Sequence, residues 1–362
     1  MFRRQLDIGL SYTKTCPLTC QHCITNSSPK AKGKMSVEKA KAYLQTISKY
    51  DNTVCFTGGE ALLFHSEILE LSHYSKELGF KNVSVVTGAG WVKGEPDTRK
   101  KVKELIDAGL NLMVISWDAY HQETSSQERA TTLARIATEE GLFVIVRSAL
   151  PANSDFGTQQ TAFEGIPVKF ETSPVIRLGR AKTLPLDHFQ QYDTPPTGAC
   201  STVLSMVIEP DGKVCACCGP SAFSEPHSPL VLGNAEEEPL EIILERAIND
   251  PILEVISLLG PYGLYLLLQQ SEAKNLYKPR NNYTGICDLC LDLTNSPEII
   301  SAIRERLKEH EAQVLLEAAR MWMGKKLWPQ QLECLKNQYG GSVVRQLWVD
   351  ESAEPKKELA CK

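Results

Sequence analysis

The chain has 362 residues, a net charge of −5 and 42% hydrophobic residues, enough for two or three domains with a substantial core. The slightly acidic balance gives no basis for nucleic-acid binding, no secretory signal opens the sequence, and no apolar stretch is long and unbroken enough to span a bilayer. We therefore expect a cytoplasmic protein without nucleic-acid or membrane partners. Its 12 cysteines are clustered, which favours metal binding in a reducing compartment over a disulfide scaffold.

The first predicted strand, Leu6–Tyr12, leads into Cys16, Cys20 and Cys23, which are spaced C-x3-C-x2-C. Three thiolates are one fewer than a closed four-cysteine iron–sulfur site uses. A [4Fe–4S] cluster held by them keeps one iron open for an external ligand, as catalytic metal centres generally do. A zinc loop is the alternative, although zinc sites more often pair C-x2-C units.

This cysteine spacing resembles the signature of the radical S-adenosylmethionine (radical SAM) superfamily. The resemblance implies that the open iron chelates the amino and carboxylate groups of SAM. It also implies that His22, at a position that is usually aromatic, packs on the adenine. In this family an electron from the reduced cluster cleaves SAM to methionine and a 5′-deoxyadenosyl radical, which abstracts a hydrogen atom from the substrate. A reductant such as flavodoxin or ferredoxin is then an expected partner.

From residue 6 to about 185, predicted strands alternate with predicted helices at a spacing of about 30 residues, which indicates parallel strands with crossover helices. After the first strand, strands are predicted at Asn52–Phe56, Asn82–Thr87, Leu110–Ser116, Leu142–Ser148 and Val168–Glu171, and helices at Ser66–Leu78, Asp97–Ala108 and Gln127–Glu140. Six units fall short of a complete eight-stranded barrel. The resemblance implies that this α/β region, residues 1–185, is a partial (β/α)6 TIM-like barrel.

In parallel α/β folds the functional groups lie at the carboxyl ends of the strands. After the second strand, Thr57-Gly58-Gly59-Glu60 resembles the GGE motif of the family, in which the glycines permit close approach to a ligand and the glutamate accepts hydrogen bonds from the SAM ammonium. After the fourth strand, Ser116 and Asp118 resemble an S-x-D motif that contacts the SAM ribose. Capping of the next helix is the alternative for Asp118.

Arg147 ends the fifth predicted strand. A guanidinium at this position can pair with the SAM carboxylate through two hydrogen bonds. An ordinary salt bridge at the surface or between domains is the alternative.

A second cysteine-rich region follows the barrel and includes a hairpin signal, Asp211-Gly212, between Val203–Glu209 and a short strand that delivers Cys215. The region resembles the SPASM/twitch extension of radical SAM enzymes, which holds auxiliary [4Fe–4S] clusters. We expect residues 186–295 to form a small α+β auxiliary domain with one such cluster, followed by C-terminal helices and a disordered tail over residues 296–362. The expected ligands are Cys200, Cys215, Cys287 and Cys290, with Cys218 as the alternative to Cys215.

The adjacent residues Cys217 and Cys218 point to opposite sides of an extended chain, so that at most one of them binds the same cluster. The other is a candidate catalytic thiol that donates a hydrogen atom to a substrate carbon radical. A buried, inert cysteine is the alternative.

The resemblance implies more than one reaction class. The leading hypothesis is an enzyme that epimerises or crosslinks a ribosomally synthesised precursor peptide. Its leader is then recognised either by a separate leader-binding protein or by the barrel and C-terminal helices. The alternatives are a small-molecule dehydrogenase that oxidises an alcohol through the auxiliary cluster, and a non-catalytic iron–sulfur protein.

Overall fold

The computed structural model describes residues 7–152, 154, 157–310, 312, 313 and 316. The strands of this part are β1 (Asp7–Thr13), β2 (Thr53–Gly58), β3 (Asn82–Thr87), β4 (Leu112–Ser116), β5 (Phe143–Leu150), β6 (Lys169–Pro174), β7 (Ser205–Ile208), β8 (Lys213–Cys215) and β9 (Val231–Asn234). Its helices are α1 (Val37–Ile47), α2 (His65–Glu77), α3 (Glu95–Asp107), α4 (Ala119–Gln122), α5 (Gln127–Glu139), α6 (Gly157–Thr161), α7 (Leu240–Ile248), α8 (Pro251–Gln269), α9 (Ile286–Thr294) and α10 (Pro297–Arg306).

These strands form one sheet in the order β6-β5-β4-β3-β2-β1-β7-β8-β9. Strands β1 to β6 are parallel to their neighbours, and the chain returns through at least one helix between each pair. On β1 the fully buried Ile8, Leu10 and Tyr12 alternate with residues on the opposite face. The structure therefore has the predicted α/β fold with a partial (β/α)6 barrel.

Helix α1 has no counterpart among the predicted elements. Its buried residues Ala40, Tyr43, Leu44 and Ile47 follow the i, i+3, i+4, i+7 spacing of an amphipathic helix. The Ser36 side chain caps its first turn by accepting a hydrogen bond from the backbone of Lys39. The sequence therefore contained the signal for this helix.

The predicted hairpin is present, and it continues the barrel sheet. Strands β7 and β8 pair in antiparallel fashion, while β7 lies parallel to β1 with register pairs from Asp7–Ser205 to Leu10–Ile208. The second cysteine region is thus joined to the barrel by backbone hydrogen bonds.

Helix α8 is apolar and long enough by composition to cross a membrane, but 67% of its most apolar window is buried inside the fold. It is also broken at Gly260, where φ is 70°. A Cβ atom there would lie 1.8 Å from the carbonyl oxygen of Gly198, so the break lets the segment before Cys200 approach the helix backbone. The Cys200 amide donates to the Ile256 carbonyl at 3.2 Å. This is a core helix that positions Cys200.

Among the described residues, the C-terminal helices expected after residue 295 begin with α10, which ends at Arg306. The predicted disordered tail at the C-terminus lies outside the described residues.

Candidate functional site

Cys16, Cys20 and Cys23 lie in the loop that follows β1. Burial raises the pKa of Cys16 to about 12, and the charges of Glu60 and the other two thiols add to this rise. The Cys23 amide donates to the Cys20 carbonyl at 3.2 Å. Although burial opposes it, a hydrogen bond and the charge of His121 lower the pKa of Cys20.

The glycines of the GGE motif contact the backbone of this loop. A Cβ atom on Gly58, whose φ is +114°, would lie 2.4 Å from the Thr13 carbonyl oxygen, and one on Gly59 would lie 2.3 Å from the Thr15 carbonyl oxygen. The amides of Gly59 and Glu60 donate to these same two carbonyls at 2.6 and 2.9 Å. The close approach that these glycines permit is therefore to the start of the cysteine loop.

Further glycines approach the loop from other strand ends. Cβ atoms on Gly88 and Gly90, after β3, would lie 2.8 Å from the Leu18 side chain and 2.6 Å from the Pro17 ring. Gly179, after β6, approaches the Cys23 carbonyl oxygen so closely that a Cβ atom would lie 2.5 Å away. We call Gly58, Gly59, Gly88, Gly90 and Gly179 the glycine collar. The sequence did not predict the contacts of the last three with this loop.

Glu60 is fully buried. One carboxylate oxygen accepts hydrogen bonds from the Thr87 hydroxyl at 2.8 Å and the Gly88 amide at 3.1 Å, and the other accepts one from the Leu62 amide at 3.3 Å. Burial raises the pKa of Glu60 to about 7. The second oxygen has room for one more donor, so a contact with the SAM ammonium remains a proposal.

Asp118 takes the capping role that was the alternative to ribose binding. Its Oδ1 accepts hydrogen bonds from the backbone amides of Tyr120 and His121, both at 3.1 Å, and from His121 Nδ1 at 2.8 Å. Its Oδ2 accepts one from the Ala149 amide at 3.1 Å and lies 3.2 Å from His22 Nε2. Both oxygens are therefore occupied by protein groups.

For Asp118 and His121, the attraction between opposite charges changes the pKa more than burial does. Burial alone raises the pKa of Asp118 and lowers that of His121, but attraction between the two groups outweighs both effects. The pKa of Asp118 falls well below its usual range, and that of His121 rises to about 10. The ligand atoms of His22, Asp118 and His121 lie within 4.8 Å of one another, close enough to hold a metal ion, but the hydrogen bonds already account for this arrangement.

His22 stacks on a protein ring in this structure. Its imidazole lies 4.7 Å from the ring centre of Tyr120, with an interplanar angle of 18°. Its Nδ1 is buried and has no hydrogen-bond partner among the described residues. Packing of His22 on the adenine therefore stays a prediction.

Arg147 pairs with Ser116 in the ladder between β4 and β5, so both lie at the same end of the sheet. The Arg147 guanidinium is not free: its Nε and Nη2 donate to Glu171 Oε2 at 3.1 and 2.7 Å. The salt-bridge alternative is thus present in the structure. Glu171 Oε1 is buried and lacks a partner among the described residues, so a bound molecule that donates a hydrogen bond would satisfy it.

In the second cysteine region, thiols from separate segments influence one another electrostatically. Burial, followed by the charges of Cys200 and Cys217, raises the pKa of both Cys287 and Cys290 well above the usual value. The charged neighbours that act on Cys215 are Lys213, Glu209, Cys217 and Asp211. Ligation by Cys215 therefore stays a prediction, and Cys217 is a further candidate for the fourth ligand.

The hairpin places Cys215 and Cys217 differently. Cys215 is paired with Val207 inside the ladder and is 1% exposed, so its side chain belongs to the core. Cys217 lies past the end of β8, where strand alternation no longer applies, and its sulfur lies 2.9 Å from the Ser221 hydroxyl.

Cys218 differs from its neighbour in accessibility. Cys217 is 6% exposed, whereas Cys218 is exposed. Burial nevertheless raises the pKa of Cys218 to about 12, with an opposing contribution from the charge of Arg147 on β5. The charges of Cys217 and Cys200 add to this rise.

Comparison with known proteins agrees with the two cysteine regions. Residues 10–150 match the model of the radical SAM superfamily. Residues 200–252 match the iron–sulfur cluster-binding domain called SPASM. The chain carries a radical SAM domain followed by a SPASM domain.

The relatives of this radical SAM–SPASM chain include two proteins of Bacillus subtilis (strain 168). YydG, whose name assigns it to peptide biosynthesis, is 21% identical over 83% of this chain and 95% of its own length. The antilisterial bacteriocin subtilosin biosynthesis protein AlbA is 28% identical over 40% of this chain and 33% of its own length. The structure of anSMEcpe with bound AdoMet is 13% identical, with a TM-score of 0.52, over 83% of this chain and 99% of that one, which supports the fold alone.

The cofactors of this radical SAM–SPASM protein are SAM, a [4Fe–4S] cluster and an auxiliary iron–sulfur cluster. The residues that the structure describes are suited to these cofactors. Each region gathers cysteines, and none of the ten described cysteines forms a disulfide. The buried atoms His22 Nδ1, in the cysteine loop, and Glu171 Oε1, on β6, have no partner among the described residues and could accept a polar ligand.

Proposed function

We propose that this protein modifies a precursor peptide and that Cys218 returns a hydrogen atom to the peptide in an epimerisation. The observation that carries this proposal is the difference in exposure between the adjacent cysteines. Cys217 is buried, while Cys218 is exposed and its pKa is raised by the charges of Cys217 and Cys200 and lowered by that of Arg147. The likeness to YydG over most of both chains supports a peptide as the substrate.

Cys16, Cys20 and Cys23 are the proposed ligands of the SAM-binding cluster. The proposed ligands of the auxiliary cluster are Cys200, Cys217, Cys287 and Cys290. When bound, SAM and its cluster supply the one-electron chemistry that removes a hydrogen atom from an unactivated C–H bond. The protein side of the site then orients the peptide and excludes water.

Cys218 completes the reaction in this proposal. Its S–H bond breaks as a hydrogen atom passes to the substrate carbon, and a C–H bond forms on the face opposite to the one that was attacked. One electron from a reductant such as flavodoxin or ferredoxin and one proton from solvent restore the thiol. Because a thiol exchanges its hydrogen with solvent, the returned atom carries the solvent isotope.

The test uses reduced, reconstituted protein in D2O with a pooled library of synthetic peptides, analysed by mass spectrometry. The wild type is expected to add a single deuterium to the modified residue. The Cys218→Ala variant is expected to cleave SAM without adding deuterium, and Cys55→Ala serves as a control at a cysteine outside both groups. Deuterium addition by Cys218→Ala at the wild-type level would refute the proposal.

The neighbouring auxiliary cysteines favour a second outcome, in which the auxiliary cluster accepts an electron from the substrate. The product is then two hydrogens lighter and contains no solvent deuterium. A lighter peptide would indicate a crosslink, and a lighter small molecule a dehydrogenase. The same experiment separates these reactions from epimerisation.

A further inference from the structure

Gly179 and Arg180 follow β6 in a short 3-10 helix, Gly179–Thr183, and contact the first cysteine loop directly. Arg180 makes three hydrogen bonds to this loop. Its Nε donates to the Cys20 carbonyl at 3.0 Å, its Nη1 to the Ser27 carbonyl at 2.7 Å, and its backbone amide to the Cys23 carbonyl at 3.1 Å. One residue thus fixes three points of a loop that is distant in sequence.

Gly179 makes these bonds possible. Its φ is +56°, and a Cβ atom would lie 2.5 Å from the Cys23 carbonyl oxygen and 2.7 Å from the Ile24 carbonyl oxygen. Any other residue would push the loop away from the 3-10 helix. The Cys23 carbonyl that would collide with a side chain is the same group that accepts the Arg180 amide.

We propose that Gly179 and Arg180 form a clasp that holds Cys20 and Cys23 in position for the SAM-binding cluster. The loop has little regular structure of its own, so bonds to its carbonyls determine where the cysteine side chains point. Donors on a charged guanidinium make stronger bonds than neutral donors. The planar fork reaches two carbonyls at once, which a lysine ammonium does not reproduce.

The clasp also places a positive charge beside the loop. Charge and hydrogen bonding near an iron–sulfur cluster set its reduction potential, because a nearby cation stabilises the more negative reduced state. Removal of the Arg180 charge should therefore make the potential of the SAM-binding cluster more negative. This inference rests on the proposed assignment of Cys20 and Cys23 as ligands.

The experiment compares Arg180→Met, Arg180→Lys and Gly179→Ala in the reconstituted full chain. Iron release to a chelator measures retention of the clusters. The change in the EPR spectrum of the reduced protein on addition of SAM distinguishes the SAM-binding cluster from the auxiliary one. The matched control is Lys182→Met, because Lys182 belongs to the same 3-10 helix and is exposed.

We expect all three clasp variants to lose the SAM-responsive cluster about tenfold faster or more, the effect of one charge-assisted hydrogen bond. The auxiliary cluster and the Lys182→Met variant should keep wild-type rates. Only Arg180→Met should lower the reduction potential, since Arg180→Lys keeps the charge. Wild-type retention in Arg180→Met, or equal loss of both clusters, would overturn the clasp.

Failure of the ligand assignment gives a different result. If Cys20→Ala retains the SAM-responsive cluster in the same assay, then Cys20 is not a ligand, whatever the clasp variants do. Loss of that cluster in Cys20→Ala together with wild-type behaviour of the clasp variants refutes the clasp alone.

Discussion

The two cysteine regions bring their thiols together in different ways. Cys16, Cys20 and Cys23 share one short loop, which the glycine collar holds against the ends of β2, β3 and β6. The second group joins Cys200, Cys217 and the α9 pair from three separate segments, with α7 and α8 between the last two. The first site is therefore specified by local sequence and close backbone contact. The second depends on how helices and hairpin pack.

The largest effect is expected at the glycine collar. In Gly59→Ala the new Cβ atom would lie 2.3 Å from the Thr15 carbonyl oxygen, so the start of the cysteine loop must shift. We expect loss of the SAM-binding cluster and of SAM cleavage, with bound iron falling from about eight to about four atoms per chain. Iron analysis and assay of 5′-deoxyadenosine measure both changes.

The control is Gly94→Ala, because nothing lies within 4 Å of a Cβ atom at that position. If Gly59→Ala kept its SAM-binding cluster, the collar would be shown to tolerate a methyl group. The conclusion that local sequence and close backbone contact specify the first cysteine site would then be wrong.

The next largest effect tests the assembly of the second site. Cys217→Ala is expected to lose the auxiliary cluster, leaving about four iron atoms per chain, while SAM cleavage persists. Cys215→Ala is the matched variant two residues away, and it should keep about eight, since Cys215 lies within the hairpin ladder. The reverse pattern would restore the ligand set expected from the sequence.

The Gly260→Ala variant should have an intermediate effect on the auxiliary cluster, because Gly260 influences the second cysteine region only through packing. Ala at this position would combine a φ of +70° with a Cβ atom 1.8 Å from the Gly198 carbonyl oxygen. We expect a loss of about 3 kcal/mol in the free energy of unfolding. Auxiliary iron should fall while the SAM-responsive EPR signal is kept. Equal loss of both signals would show that the two regions do not fold independently of each other.

The smallest effect concerns the first turn of α9, where Cys287 lies. The Thr284 hydroxyl donates to Asp288 Oδ2 at 2.7 Å, beside a bond from the Thr284 amide at 2.6 Å. Thr284→Val removes only the first of these bonds. It should cost about 1 kcal/mol in denaturant-induced unfolding and leave the iron content unchanged.

The control for this change is Thr131→Val on the exposed surface of α5, where the hydroxyl bonds only its own helix. A similar stability loss in both variants would mean that the α9 turn has no special role.

The sequence predicted the structure best where residues of a distinctive chemical type recur at a characteristic spacing. The first cysteine loop and the alternation of strands and helices could be read directly, because both depend on residues close together in the chain. The role of Gly58 and Gly59 was only partly predicted. Their small size was recognised, but the group that approaches them is the Thr13–Thr15 backbone.

Contacts between distant segments could not be read in this way. The choice between Cys215 and Cys217 depends on where β8 ends, and strand ends are poorly specified by composition. Likewise, the pairing of Arg147 with Glu171 and of Asp118 with His22 arises only when distant segments of the chain come together, and no spacing within the sequence signals it. The pair of Asp118 and His121 is different, because the two residues are three apart at the start of α4.

Strand β1 has a further consequence through its pairing with β7. These strands share four register pairs, from Asp7–Ser205 to Leu10–Ile208. The carboxyl end of β1 leads to Cys16, and β7 leads through the hairpin to Cys217. Movement of the hairpin away from the barrel would break this ladder. The β1–β7 ladder therefore ties the first cysteine loop and the hairpin together, so neither can shift far without the other while the sheet is intact.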